Sequence, residues 1–452
     1  MAISPYVAVP NASHYWLCNA RLPLALLDET VAHNRVIADL AAPPFAENLV
    51  AADVEIRAGY IAAIAPVGSA PHDATTVDVN KGLIFPCFVD IHTHLDKGQT
   101  WNRAANATGT FDDALRAIRG DARHWQPEDL YRRMDFGLRC SYVHGTKAIR
   151  THFDAFDSMA KTALAIIHQL QQEWAGRILL QAVCLVSLDH YLTPEGEKLA
   201  DWVAEAGGIL GGVAYPNPEL SEQLDRVFHL ASERSLTVDL HVDETLDPTS
   251  MSLRHVAKTK IQQGFTAPVV CGHCCSLSTQ SPDEAEATMK WVKEAAIGIV
   301  SLPMCNLYLQ DRQSAYTPRY RGVTILHELK QRGIPVAVAS DNCRDPFFAY
   351  GDHDGWEVFT QSVRIGHLDR PIADWPQVVT RTPADLMGLT DAGRLGLEQP
   401  ADLVLFKART FNELLCRPQS DRLVLRQGKA IEATLPDYAE LDDLVGLGAV
   451  II

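Results

Sequence analysis

Between residues 82 and about 342, apolar runs of strand length take turns with longer helical patterns, and this alternation constrains the fold more than any other feature of the chain. The strand candidates are 83–91, 146–152, 178–186, 209–215, 237–242, 269–273, 298–302 and 335–340. They are apolar nearly throughout, not at every second position, so both faces of each must be covered. Helix candidates lie between them at 112–119, 127–142, 158–174, 194–206, 218–234, 282–296 and 324–332. Pro127, Pro194, Pro218 and Pro282 suit a first helical turn, where proline forfeits no hydrogen bond. Repeated strand-and-helix units of this kind predict an α/β fold, a parallel (β/α)8 TIM-like barrel. An open doubly wound sheet is the competing arrangement, but no Gly-x-Gly-x-x-Gly follows an early strand.

Both ends of the chain read differently. Short β-like segments occur at 15–18, 48–57, 60–65 and 75–79, and again at 401–406 and 422–429. Arg57-Ala58-Gly59-Tyr60 reads as a hairpin turn. The economical account is a small β-sandwich domain built from residues 1–80 and 395–452, flanking a catalytic barrel domain at 81–394. A length of 452 residues suits one large and one small domain.

A net charge of −16 argues against a phosphate-backbone binder, so no nucleic-acid partner is expected. Apolar runs such as 61–66 and 207–215 are too short to cross a bilayer, and no membrane partner is expected either. Residues 1–10 have no basic segment and are interrupted by Pro5 and Pro10, so the expected location is the cytoplasm. Ten scattered cysteines do not make a disulfide framework. Cys271-Gly272-His273-Cys274 has the spacing of a redox dithiol, which should open a helix. The next residues, Cys275-Ser276-Leu277-Ser278 and then Pro282, read instead as a strand end and a loop. Both cysteines are therefore expected to be small buried fillers.

The residues that carry chemistry sit where strands end. His92 and His94 close the first run two positions apart, so both leave one face of the chain. His241 lies in the fifth run, His273 ends the sixth and Asp341 follows the eighth. Taken singly, His273 reads equally as a hydrogen-bonded core histidine and Asp341 as a helix cap. Together, three His and one Asp can hold a divalent transition metal and leave a position for water. Glu244, three residues past His241, has to lie beyond the strand end for its loop to curl it back over the site.

These residues lie in stretches that resemble the amidohydrolase superfamily and, within it, the cytosine deaminase family. The resemblance runs from Val54 to Glu432 and rests on Pro86-Cys87-Phe88-Val89-Asp90-Ile91-His92-Thr93-His94-Leu95-Asp96, Arg150-Thr151-His152-Phe153-Asp154 and Asp239-Leu240-His241-Val242-Asp243-Glu244. It continues through Gly272-His273, Asn306-Leu307-Tyr308, Ser340-Asp341-Asn342, Asp345-Pro346-Phe347 and Pro400-Ala401-Asp402. It implies one divalent metal ion per chain, zinc or iron, on His92, His94, His241 and Asp341. It also implies a hydrolytic deaminase of a cytosine-like amino-oxo N-heterocycle, in which a metal-bound hydroxide displaces ammonia. Asp341 would accept the water proton, Glu244 would shuttle protons and His273 would steady the addition step. The fourth run has no Lys, so the bridging lysine of two-metal relatives has no candidate.

Three positions depart from the cytosine enzymes. Ser187 stands where those have a substrate-reading Gln, Asn342 where they have a second Asp, and Phe347 where they have a Trp. These substrate-binding candidates count against cytosine itself and favour a larger or differently substituted ring, with Arg344 and Arg103 as partners for its oxygens; a fused ring such as a pterin or isoguanine is the alternative substrate. Ring opening of a cyclic amide is the other enzymatic alternative, and a non-catalytic scaffold the third reading. The expected partners are a small-molecule heterocycle and further copies of the chain in a homo-oligomer.

Overall fold

The computed structural model describes residues 6–29, 31, 47–155 and 159–446. Eight short strands run through its middle: β1 (Phe88–Thr93), β2 (Thr146–Asp154), β3 (Leu179–Leu185), β4 (Leu210–Ala214), β5 (Val238–Val242), β6 (Val269–His273), β7 (Ile297–Ser301) and β8 (Val336–Val338). β4 to β8 form one sheet in chain order, every neighbouring pair parallel, and β1 to β3 form another. Single parallel bridges join the two: Val183–Ile209 and Ser187–Val213 on one side, Thr93–Asp341 on the other. The fold is a TIM-barrel-like α/β architecture. β5, β6 and β7 are buried at every position, as near-continuous apolar runs require.

Helices connect the strands, and their starts follow local chemistry. Thr193 accepts a hydrogen bond from the Gly196 amide ahead of Pro194, and Ser281 does the same for Glu284 ahead of Pro282. Pro218 is different. The Asn217 side chain accepts from the Glu219 amide in a local turn, which delays the helix to Leu220–Glu233. The expected helix start at Ser158 lies outside the described residues. No helix among the described residues is long and apolar enough to cross a membrane.

The chain divides into two compact units, one comprising Met1–Val89, Arg139–Ala148 and Asp354–Leu435, the other Asp90–Leu138, Ile149–His353 and Pro436–Ile452. In the first, strands from both ends of the chain share one eight-stranded sheet. Its order is Lys429–Ala430, Leu423–Arg426, Leu403–Phe406, Leu83–Pro86, His14–Pro23, Leu49–Arg57 and Tyr60–Ala65, with Thr76–Asp78 paired to His14–Pro23. The expected strand at 83–91 is thus two strands. Pro86 has no amide to continue a ladder, the Cys87 amide turns to the Asp402 carbonyl, and the Phe88 amide turns to that of Gly145. The expected strand at 422–429 is a hairpin, because Gln427 and Gly428 both take left-handed φ (46° and 71°). Ala58 and Gly59 turn the other hairpin the same way, at 50° and 88°.

Candidate active site

Strand alternation puts Asp90, His92 and His94 on one face at the end of β1. The chain after β8 is tied to them through its backbone. The Ser340 amide and hydroxyl donate to the Asp90 carboxylate. The Asp341 amide donates to the His92 carbonyl at 2.9 Å, while its own carbonyl accepts from the His94 amide (3.2 Å) and the Thr93 hydroxyl (2.8 Å). Asp341 and His273 both sit in left-handed backbone, at φ 63° and 67°, sparsely populated for such residues and characteristic of functional sites.

These constraints bring the predicted metal candidates together. Single donor atoms of His92, His94 and His241 lie within 4.8 Å of one another, as do those of His92, His273 and Asp341. Asp341 Oδ1 is 3.3 Å from His94 Nε2 and 3.6 Å from His92 Nε2. His94 Nδ1 lies 3.2 Å from the His152 carbonyl, which can only accept, so Nδ1 carries the proton and Nε2 a lone pair. That lone pair lies 3.3 Å from His241 Nε2. Burial first, then neighbouring positive groups, hold His92, His94, His152 and His241 well below the ordinary imidazole range, so they are neutral. Among the described residues, none gives an N–H or O–H donor to either ring nitrogen of His92 or to either carboxylate oxygen of Asp341. Burial pushes the Asp341 carboxyl up to about 7, a position that a cation beside it would reverse. Imidazole nitrogens converging on a buried carboxylate that takes no N–H or O–H donor from the described residues fit a divalent transition ion held by His92, His94, His241 and Asp341.

Beside this cluster stands a second group. Asp243, just past β5, accepts from the Ser250 hydroxyl and from the Ser252 and Leu253 amides. It thereby caps the helix Ser252–Gln262 and orders the loop that carries Glu244. Burial and the nearby Asp341 hold the Glu244 carboxyl well above the ordinary range. Asn306, in the helix Pro303–Leu309, places its amide nitrogen 3.3 Å from Glu244 Oε1 and 3.0 Å from His273 Nδ1. One NH2 group donating both ways makes Nδ1 of His273 an acceptor. Its Nε2 then carries the proton, and that buried atom has no hydrogen-bond partner among the described residues.

His94, His241, Glu244, His273 and Asp341 line a cavity of about 600 Å3. Ser187, Asn342 and Phe347, the three positions that depart from the cytosine enzymes, line it too. Asn342 is partly occupied: its amide nitrogen donates to Asp345 at 2.7 Å and its oxygen faces the Cys305 thiol. Arg103 and Arg344 are not brought to this cavity. Arg103 is bound to Asp121 and Asp129, and Arg344 lies over the Tyr438 ring with its Nε on Gln99, because burial near acidic or aromatic groups claims both guanidiniums. Unforeseen lining residues include Lys97, paired with Asp154 at 2.7 Å, and Trp125 and Tyr215. His152, stacked on His92 at 3.9 Å between ring centres, was visible in the sequence only as part of a motif. Cys271 and Cys274 are buried free thiols, held well above the ordinary range by burial, and a four-residue 3-10 turn comes after them where a redox pair needs a helix N-terminus.

A profile of the amidohydrolase family matches residues 197–434. A pterin deaminase from Rhizobium rhizogenes (strain K84) is 45% identical over 443 residues, spanning 98% of this chain and 99% of that protein. An N-isopropylammelide isopropyl amidohydrolase from Pseudomonas sp. (strain ADP) is 24% identical over 371 residues, 78% of this chain and 87% of its own. Among solved structures, a 5-methylcytosine deaminase from Klebsiella pneumoniae bound to phosphonocytosine superposes with a TM-score of 0.78 at 25% identity, covering 92% of this chain and 98% of that one.

Proposed function

Since the chain belongs to the amidohydrolase family, and is a metal-dependent deaminase of that superfamily, we propose that its substrate is a fused amino-oxo heterocycle of the pterin type. The observation that carries this reading is the cavity. The His–Asp cluster and Glu244 open into about 600 Å3 walled mainly by Phe111, Leu115, Ile118, Trp125, Leu185, Val213 and Phe347. A single pyrimidine ring would leave much of that apolar wall uncovered, whereas a two-ring substrate covers it. Ser187, shorter than the Gln it replaces, leaves the added room.

A divalent ion on His92, His94, His241 and Asp341 would supply the acidity that makes water nucleophilic at neutral pH. The rest falls to the chain's own groups. The free carboxylate oxygen of Asp341 takes a proton from the attacking water. Glu244, at the cavity edge beyond β5, gives a proton to the ring nitrogen beside the reacting carbon. His273, with Nδ1 held by Asn306, directs its Nε2–H at the oxygen added to that carbon. Asp341 then returns its proton to the leaving amine while Glu244 recovers one from the added hydroxyl, and the carbon–nitrogen bond breaks with both carboxyls back in their starting states. Of the two water protons, one ends on the ring nitrogen and one on the departing ammonia, leaving an oxo group where the amine was.

The same reading takes β1 to β8 as one (β/α)8 barrel, supported by the single bridges that join the two sheets. It assigns catalysis to residues 81–394 and takes 1–80 with 395–452 as a β-domain. The terminal strands' shared sheet supports the latter, though the described residues give one sheet there and no second layer.

The test is kcat/KM for ammonia release from pterin, isoguanine, isocytosine and cytosine under one set of conditions. Pterin leading supports the reading. Cytosine leading refutes it, and ring opening without ammonia would move the chemistry to cyclic-amide hydrolysis.

A further inference from the structure

Trp125 is built into the cavity wall with more machinery than an apolar filler requires. The residue is 4% exposed and lines the cavity beside Leu115 and Ile118 of the helix Phe111–Asp121. Its Nε1–H donates to Asp121 Oδ2 at 2.8 Å. Asp121 in turn takes a two-pronged contact from Arg103, Nε to Oδ1 at 2.7 Å and Nη2 to Oδ2 at 3.0 Å. Arg103 also grips Asp129, and Asp129 binds Arg133 through Nε (3.0 Å) and Nη2 (2.7 Å). Arg133 closes the ring, with its guanidinium 5.7 Å from the indole centre. It also donates to the carbonyls of Asp96 and Gly98, in the turn just beyond His92 and His94.

Buried ion pairs of this kind contribute little net stability over well-packed apolar residues, so their retention points to a need for position. Here they fix one aromatic plane relative to the loop that carries His94. With its only polar atom committed to Asp121, the indole offers the cavity nothing but aromatic carbon. That surface suits a flat, electron-poor ring and has no use for a hydrogen-bonding edge.

We propose that Trp125 is the specificity-determining residue for the second ring of the substrate, the surface on which a fused heterocycle rests while its amino-bearing ring meets Glu244 and His273. This rests on the fused-ring reading of the substrate. Isocytosine provides the control, since it carries the amino-oxo edge of a pterin without the second ring.

The experiment compares pterin with isocytosine in the wild type, Trp125→Leu and Trp125→Phe, with thermal unfolding followed for each. Base-on-aromatic contacts contribute roughly 1–3 kcal/mol, so Trp125→Leu should lower kcat/KM for pterin about 5- to 150-fold, mostly through KM, and leave isocytosine nearly unchanged. Trp125→Phe keeps an aromatic face without the Asp121 bond and should retain most of the pterin preference. Equal losses on both substrates, no loss on either, or a Phe variant as poor as the Leu variant would each overturn the inference. A wild type that releases ammonia from isocytosine but from no fused ring would instead remove the fused-ring reading, and the inference with it.

Discussion

Replacing Asn306 by Ala should impair catalysis through His273 without emptying the metal site. Asn306 is buried and touches none of His92, His94, His241 or Asp341 through a hydrogen bond; its amide nitrogen serves His273 Nδ1 at 3.0 Å and Glu244 Oε1 at 3.3 Å. Its removal has two effects. The His273 tautomer is no longer fixed, so a fraction of molecules lose the Nε2–H donor. A buried polar group also loses its partner, at about 1–3 kcal/mol. Losing a donor to the developing oxyanion outright lowers kcat roughly 10²–10³-fold, which bounds the effect. Asn306→Ala should therefore lower kcat about 10- to 100-fold with metal content unchanged. The assay is a double-mutant cycle with His273→Gln, read as kcat for ammonia release alongside elemental analysis. If Asn306 works through His273, its removal should have little further effect in the His273→Gln background. Fully additive losses, or loss of metal in Asn306→Ala alone, would refute this account.

Glu244→Gln should keep its metal and its fold but lose about 10²–10⁴-fold in kcat, the range for positioned proton carriers; near-wild-type turnover would remove Glu244 from that role. Stripping the metal with a chelator should abolish ammonia release and lower the unfolding temperature, since an ion that binds only the folded chain stabilises it by mass action; adding back one equivalent of zinc or iron per chain should restore both. Asp354→Asn should destabilise the protein by about 3 kcal/mol near neutral pH and by much less in acid. Burial pushes this carboxyl up, but Arg422 at 2.8 Å and His144 outweigh it and hold it below the usual carboxylate range. A depressed folded pKa contributes stability above the ordinary value, about 3.9, that is lost as pH falls through the folded one. In denaturant titrations of both proteins the stability gap should begin to narrow as the pH falls from 6 towards 3, and a constant gap would refute the assignment.

Much of the fold was legible because its signals are local. The Val269–His273 strand needed only an apolar run and a histidine, and Pro282 marked its helix by a missing amide. The helix Gly355–Gly366 was missed because glycine ends it on both sides and the side-chain cap comes from Asp354, which reads as loop. The structure brings His92, His94, His241, His273 and Asp341 together, and that proximity was legible because strand ends have a fixed periodicity. Trp125 and Lys97 escaped for the opposite reason. Asp121 lies only four residues before Trp125, but Arg133 and Asp154, which complete the two placements, come from other elements, and no periodicity encodes that. Arg103 failed likewise: the sequence showed a free cation and could not show the two carboxylates that claim it.

The backbone seam between Asp341 and the His92–His94 segment has a temporal consequence. Thr93 and Asp341 are 248 residues apart in sequence, yet three hydrogen bonds between these segments set the carboxylate beside the imidazoles. A nascent chain therefore carries His92 and His94 without their carboxylate neighbour until the eighth strand emerges. At roughly 5–20 residues per second, that interval is on the order of tens of seconds. Loop closure over such a span is slow, and a chain that stops before Asp341 lacks the carboxylate and the backbone seam that fix the His92–His94 segment. The His–Asp cluster is therefore complete only after the last strand has paired with the first.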